Sequence, residues 1–448
     1  MSRAVAAVVL AAGMGTRMKS DLHKVLHPIA GRPMLMHLLA SVDELTPAAK
    51  VVVVGARREQ VEAAVAGAGA RVVTQEPQLG TGHAVMQARE ALAGFDGDVL
   101  VMFGDVPLVR TATMRSMLAA LADDVACVVL GFRPADAAAY GRIIADGDGR
   151  IRKMVEFKDA SPDERAVTLC NSGLLAIRSA DLWPLLDRIG NDNAAGEYYL
   201  PDVVQVAIAD GRRCVVVETG ADEVAVINSR AELAAVEAKW QAARRNEMMA
   251  AGVTLIDPST VWFAHDTRIG RDVVIEPNVF FGPGVTVADG AVIHGFSHLE
   301  GAQVGPRAEV GPYARLRPGA DLGEKSKVGN FVEVKKAKLG KGAKANHLTY
   351  LGDAEVGANA NVGAGTITCN YDGFFKYKTI IGEGAFIGSN SALVAPVNIG
   401  AGAIVGAGSV VTRDVSGDAL ALVRAEQTEK PGWAAKFRAM MAARKKSA

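Results

Sequence analysis

Residues 269–299 read IGRDVVIEPNVFFGPGVTVADGAVIHGFSHL, with Ile269, Ile275, Phe281, Val287, Ile293 and Leu299 spaced six apart. After one short step the register continues at Val304, Val310, Leu316, Leu322, Val328 and Val334. A disturbed stretch follows, and the register returns as Ile381, Ile387, Leu393, Ile399, Val405 and Val411. An amphipathic helix repeats near 3.6 residues and a half-buried strand alternates, so neither produces a period of six. A solenoid does. If each hexad is a short strand plus a corner, three hexads close a triangular coil with one apolar side chain per face pointing inward. Each coil then covers the next.

Outward from this stretch, composition sets the bounds. The 448 residues suggest at least two domains with ample core. Hydrophobic residues make up 50% of the chain but never run long enough to span a bilayer, and Met1 begins no basic-then-apolar leader. The expectation is a cytoplasmic protein. Formal net charge is zero, so no overall field draws the chain to nucleic acid or to a membrane. The basic residues between Lys430 and Lys446 read as a solvated terminal helix. Cys127, Cys170, Cys214 and Cys369 are far apart, which suits a reducing compartment and argues against structural zinc. His294 and His298 lie in repeat sequence, where a spacing of four does not bring side chains together as on a helix; they read as solvated corners.

The first half alternates apolar strand-like runs (4–10, 51–54, 99–103) with helical patterns (34–45, 59–66, 114–121). That order predicts a doubly wound parallel sheet with helices on both faces, binding ligands beyond the carboxyl ends of its strands. Residues 229–251 are rich in Ala, Glu, Lys and Arg with no internal Gly or Pro and predict one long connecting helix. The expected division is therefore 1–228, a linker at 229–252, and a repeat domain at 253–448.

Directly after the first strand stand Leu10, Ala11, Ala12, Gly13, Gly15, Thr16 and Arg17, with Lys24 further on. A Gly-rich turn at a strand end lets backbone N–H groups approach phosphates, and Arg17 and Lys24 add the charge a triphosphate needs. Met18 replaces the third glycine of a dinucleotide fingerprint, and no Gly-Lys-Ser/Thr closes a P-loop. The complete string resembles the signature of sugar-1-phosphate nucleotidylyltransferases. Later matches keep that family's order. Gln75, Gly80 and Thr81 match positions that read the nucleobase. Phe103, Gly104 and Asp105 end an apolar strand, and the resemblance makes Asp105 and Asn228 ligands of Mg2+. Gly141, Glu156 and Asn171 match sugar-binding positions. Phe103 stands where tyrosine also occurs, which leaves only backbone contacts there. In such a reaction the nucleophile is already a phosphate anion. No general base is required, and catalysis reduces to alignment and charge neutralisation.

Between Arg315 and Tyr371 the repeat carries more ordered polar residues than coil packing requires. Over nearly its whole length the chain resembles the bacterial bifunctional N-acetylglucosamine-1-phosphate uridylyltransferase/glucosamine-1-phosphate N-acetyltransferases. The resemblance implies a left-handed parallel β-helix, an exception to the usual crossover hand, in a homotrimer with acetyl-transfer sites between subunits. It implies acetyl transfer from acetyl-CoA to glucosamine 1-phosphate, then uridylyl transfer from UTP, supplying a precursor of peptidoglycan and lipopolysaccharide. His347 would be the general base, a role suited to an imidazole that titrates near neutrality. Glu333 would orient or charge-balance His347 or the amine. Arg317 and Lys335 would clamp the sugar phosphate, and Tyr350 and Asn361 would bind the hexosamine. Asn370 and Tyr371 complete that pocket, and with Ala364, Ser389, Ala407 and Arg424 they match acetyl-CoA positions. Arg424 suggests a contact with the coenzyme's phosphates.

The hexads become irregular around these residues. Steps shorten to five from Val334 to Leu339 and from Leu351 to Val356, and an insertion containing Asn370 and Lys378 delays the return at Ile381. Two other readings stay open: a nucleotidylyltransferase acting on a different sugar or base, whose solenoid serves for oligomerisation and regulation, and a non-enzymatic nucleotide-sugar sensor.

Overall fold

Along the strand Val5–Ala11 the side chains alternate between two cores: Ala6, Val8 and Leu10 enter one, Ala7, Val9 and Ala11 the other. A strand buried on both faces reads as a continuous apolar run, and layers must cover it on each side. Helices Met34–Asp43, Arg58–Val65 and Thr111–Ala120 supply one layer, through Leu35, Leu38, Leu39, Val61, Val65, Met114 and Met117. Ser179–Leu186 and Asp202–Ala209 cover the other face with Leu182, Leu186, Val203 and Val204. The computed structural model describes residues 3–137, 140–193 and 196–447. Its chain divides into two units, Met1–Arg244 and Arg245–Ala448.

The sheet of the first unit runs in the order Arg213–Thr219, Val125–Phe132, Cys170–Arg178, Asp98–Phe103, Val5–Ala11, Ala49–Val54, Arg71–Thr74. It is not wholly parallel as expected: Cys170–Arg178 runs antiparallel to both its neighbours. The chain leaves Val125–Phe132 through the antiparallel pair Arg142–Ala145 and Ile151–Val155 and comes back reversed. An antiparallel return needs no crossover helix, and the alternation of strand and helix breaks there. The parallel strands Val5–Ala11 and Asp98–Phe103 end at the same level, Leu10 opposite Phe103.

The connecting helix spans Arg230–Ala250. Its first turns pack on the first unit, where Val236 is buried with Ile29, Ala30, Met34 and Ile227. Glu237 accepts the Ala30 N–H at 2.7 Å.

The second unit is a parallel β-helix. One face stacks ten parallel strands, from Thr254–Leu255 to Leu420–Ala421. Ile275 pairs with Ile293, Ile293 with Val310, Val310 with Val328, Val328 with Ala345, and Ala345 with Val362, so each coil takes 17 or 18 residues, three hexads. From Val362 to Ile387 the coil lengthens, because it accommodates the insertion. Ile275, Phe281, Val287, Ile293 and Leu299 are each 1% exposed or less. Burying a side chain of this kind contributes about 1.5–3 kcal/mol. The five-residue steps have a structural counterpart: where most strands of the helix hold two or three residues, Glu333–Leu339 and Tyr350–Val356 hold seven and pair along their length. His294 bonds Glu276 through Nδ1 at 2.9 Å, whereas His298 lies on a strand with its ring stacked on Phe280. The terminal helix Trp433–Lys446 is exposed along its length.

Candidate functional sites

Gly15 has φ +63°, and a Cβ added to it would stand 2.5 Å from the Lys24 Cβ. Only glycine allows this left-handed turn and lets Lys24 close over it. The Lys24 side chain then reaches Asp105 and Asn228: Nζ lies 2.5 Å from Asp105 Oδ2 and 3.2 Å from Asn228 Oδ1. Asp105 sits just past Asp98–Phe103, where the Gly104 N–H bonds the Leu10 carbonyl at 2.9 Å and ties the two strand ends together.

A cavity of about 370 Å³ opens at these strand ends, lined by Leu10, Ala11, Ala12, Gly13, Lys24, Gln75, Gly80, Thr81, Phe103 and Asp105. Ten expected residues from five stretches thus converge. Val25, Gln78, Ala84 and Glu197 also line it, and no motif marked them. Gln78 binds the Ala12 carbonyl through its side-chain amide. Gln75 is almost fully buried and donates to the Gly80 carbonyl at 2.9 Å, while Thr81 Oγ1 accepts the Leu200 N–H at 3.0 Å.

Gly141, Glu156 and Asn171 line a separate small cavity of about 40 Å³. The Asn171 N–H donates to the Gly141 carbonyl at 2.9 Å, and its side-chain oxygen accepts the Gly173 N–H at 2.8 Å. Gly173 has no room for a side chain, since a Cβ would stand 2.5 Å from Phe103 Cε2; the Phe103 ring lies against it. Glu156 keeps contact with water at the rim, yet desolvation of its carboxylate raises its pKa, followed by repulsion from Asp202 and Asp159. Arg17 stays apart from both cavities. It is exposed and has no hydrogen-bond or ion-pair partner among the described residues.

In the β-helix, His347 lies one coil above Asn330, and their side chains meet with Nδ1 2.6 Å from Asn330 Oδ1. An amide oxygen only accepts, so Nδ1 carries a proton, and in the neutral ring the lone pair is then on Nε2. Glu333, expected to orient or charge-balance His347 or the amine, pairs with Arg317 at 2.7 Å and with Arg315 at 3.9 Å. Asn330 belongs to the ordered polar residues of this stretch, but the sequence reading gave it no role. The signal was its place 17 positions before His347, one coil of the solenoid.

Tyr350 follows Glu333 on the same face, in register with it. Its hydroxyl lies where a Gly352 Cβ would be, 2.3 Å away, so the ring lies across that glycine. Asn370 is buried and donates to Asp353 at 2.5 Å, and the Tyr371 hydroxyl donates to the Gly373 carbonyl at 2.6 Å. Lys376, another residue not anticipated, approaches Lys335 so closely that its ammonium lowers the Lys335 pKa, with Arg317 adding to the effect. Three cations thus crowd one exposed surface.

Ala364, Ser389 and Ala407 occupy one corner of successive coils, in line with His347. The Gly365 N–H bonds His347 O, Asn390 bonds Ala364 O, and Gly408 bonds Ser389 O. Arg424 donates to the Ala407 carbonyl at 2.8 Å. Asn361 is not gathered with Tyr350. It lies in the ten-stranded ladder, whereas Glu333 and Tyr350 belong to the neighbouring sheet.

Residues 7–197 match the model of the MobA-like NTP transferase domain. Residues 266–301 match the bacterial transferase hexapeptide (six repeats), and 378–413 the hexapeptide repeat of succinyl-transferase. The chain is 67% identical over its full length to the bifunctional protein GlmU of Sphingopyxis alaskensis, covering 99% of that protein. It belongs to the bifunctional GlmU family. To the GlmU proteins of Rhizorhabdus wittichii and Zymomonas mobilis it is 69% and 59% identical, over 99% and 96% of this chain and 98% and 97% of theirs. GlmU membership makes the chain a bifunctional transferase, with a nucleotidyltransferase half and a hexapeptide-repeat acyltransferase half.

Proposed function

We propose that residues 1–228 catalyse uridylyl transfer from UTP to N-acetylglucosamine 1-phosphate, and that residues 253–448 first acetylate glucosamine 1-phosphate from acetyl-CoA, with 229–252 linking them. The observation that carries the first reaction is the cavity in which Lys24, Gln75, Gly80, Thr81, Phe103 and Asp105 meet the Gly-rich turn. Gln75, Gly80 and Thr81 read the uracil. Gly141, Glu156 and Asn171 hold the sugar, away from the phosphate-binding cations. A phosphate oxygen of the sugar attacks the α-phosphorus of UTP, a new P–O bond forms, and pyrophosphate leaves. Lys24 and Arg17 neutralise charge on the triphosphate, Arg17 from an exposed turn outside the cavity.

Mg2+ fits this site. Asp105 and Asn228 direct two oxygens at one cationic nitrogen, that of Lys24, and oxygen donors are what a hard divalent ion takes. Asp105 and Asn228 would hold the ion, with substrate phosphates completing its shell. When bound it supplies further charge stabilisation to the transferring phosphoryl group.

In the acetyl-transfer site His347 Nε2 accepts the proton of the glucosamine amine as the amine attacks the thioester carbonyl; the coenzyme leaves as the thiolate and takes up a proton. Asn330 holds the imidazole in the required tautomer. Arg317 and Lys335 bind the sugar phosphate, Glu333 keeps Arg317 in place, and Tyr350 and Asn361 bind the hexosamine. Asn370, Tyr371, Ala364, Ser389, Ala407 and Arg424 hold acetyl-CoA. Because Asn361 and Tyr350 lie on different faces, a homotrimer with sites between left-handed β-helices completes the pocket. In this reading the chain is a cytoplasmic supplier of cell-wall and lipopolysaccharide precursors; no helix among the described residues is long and apolar enough to cross a membrane.

The test is a pair of assays on the full chain. Pyrophosphate release from UTP and N-acetylglucosamine 1-phosphate with Mg2+, and free thiol from acetyl-CoA and glucosamine 1-phosphate, are both expected. Pyrophosphate without thiol would return the chain to a single nucleotidylyltransferase activity.

A further inference from the structure

Arg17 and Lys24 ride on two separate turns of 3₁₀ helix, Thr16–Met18 and Lys24–Leu26. Such turns are short and their hydrogen bonds poorly aligned, so they hold their orientation only through outside contacts. Within each turn the bonds are local: Met18 to Gly15 O in the first, Leu26 to His23 O and His27 to Lys24 O in the second. The chain between them is anchored elsewhere, through Gln60 to the His23 N–H and through Arg57 to the Ser20 and Asp21 carbonyls.

Among the described residues, Arg230 is the side chain that bonds both Met18 of the first turn and His27, the residue that closes the second. Its Nε donates to the Met18 carbonyl at 3.3 Å, and its Nη1 lies 3.1 Å from His27 Nδ1. A guanidinium has no acceptor, so the His27 ring must offer the lone pair of Nδ1 and stay neutral. The ring is buried, only 2% exposed, which makes it a fixed anchor rather than a mobile one. Arg230 is also the first residue of the connecting helix, and the residue two before it, Asn228, touches the Lys24 ammonium. Glu232 holds this helix start by accepting the Asn228 N–H at 2.7 Å and bonding the Ser229 hydroxyl at 3.0 Å.

We propose that Arg230 is a positioning residue for uridylyl transfer: its forked guanidinium ties the Arg17-bearing and Lys24-bearing turns to the start of the connecting helix and so sets the spacing of the two cations on the triphosphate. The proposal rests on the uridylyl-transfer reading and deepens it. Arg230 touches neither substrate; it acts through the two turns. A lysine at this position keeps the charge but has a single nitrogen that cannot serve two acceptors in fork geometry.

The test uses the full chain with both activities assayed. Wild-type pyrophosphate release tests the underlying reading, and the variants test the clamp. Arg230→Met should lower kcat for pyrophosphate release about ten-fold or more, because small misplacements of aligned groups are expensive in rate. The KM for N-acetylglucosamine 1-phosphate should stay within about two-fold, since Gly141, Glu156 and Asn171 lie in another cavity. Acetyl transfer by the same molecules should be unchanged. Arg230→Lys, which preserves the aliphatic stem and charge, should remain impaired. In an Arg17→Ala background Arg230→Met should cost less than in the wild type, because one of the groups it positions is already gone. Full activity in Arg230→Lys, or an equal fold-loss in both backgrounds, would overturn the proposal.

Discussion

The Lys24 ammonium lies 2.5 Å from the Asp105 carboxylate, joining a 3₁₀ turn to a strand end 81 positions away. Both side chains are largely buried, with 11% and 16% of their surface exposed. A pair so placed is one unit: removing either member strands the other charge. Asp105→Ala should lower pyrophosphate release at least 100-fold, of the order seen when preorganised charge is taken from a polar transition state. Acetyl transfer by the same chain should be unaffected; parallel assays of thiol and pyrophosphate release check this, and loss of both in a folded protein would refute separate sites.

His347→Ala should reduce acetyl transfer by about 10²–10⁴-fold, the usual contribution of a positioned general base. Pyrophosphate release is the internal control and should be unchanged. Asn330→Ala removes the 2.6 Å partner of Nδ1 and frees the ring to rotate and change tautomer. Its expected loss is about ten-fold in kcat, read in the same thiol assay; no loss would show that Asn330 does not orient the base.

Gly352→Ala places a methyl group within 2.3 Å of the Tyr350 hydroxyl. The ring must move, and the KM for glucosamine 1-phosphate should rise about five-fold, roughly the worth of one hydrogen bond. Steady-state kinetics with varied sugar phosphate distinguishes this from a change in kcat alone.

His23 is buried and its pKa is pushed down to about 4, first by burial and then by the charges of Lys24 and Arg57. The unfolded chain binds a proton at this residue near pH 6.5, where the folded protein does not, so stability contributed by the neutral ring is present above 6.5 and lost as pH falls toward 4. The melting temperature of the first unit should fall with pH across that window, and His23→Gln should flatten the dependence. Melting curves at pH 4.5, 5.5 and 7 provide the comparison.

Much of the architecture was legible because its causes are periodic. A residue repeated every sixth position faces inward in every coil, and the residues buried from Ile275 to Val334 follow that spacing with its one short step. The five-residue steps were visible in the sequence too, although not their meaning as seven-residue strands. The reversed strand Cys170–Arg178 was not legible, because a strand buried on both faces has the same apolar signature in either direction. The Gly-rich turn and Asp105 were found as separate motifs, each at a strand end.

By itself, then, the sequence determined the repeat, the two halves, and the residue types available for phosphate, amine and proton chemistry, since these depend on local order along the chain. Only the tertiary structure decided which of them meet. It set Lys24 between Asp105 and Asn228, gave His347 to Asn330 and Glu333 to Arg317, and put Arg230 across two turns. Such pairings follow from how strand ends and coils stack, and a hydrogen bond a few ångströms long depends on position in space whatever the number of residues between its partners.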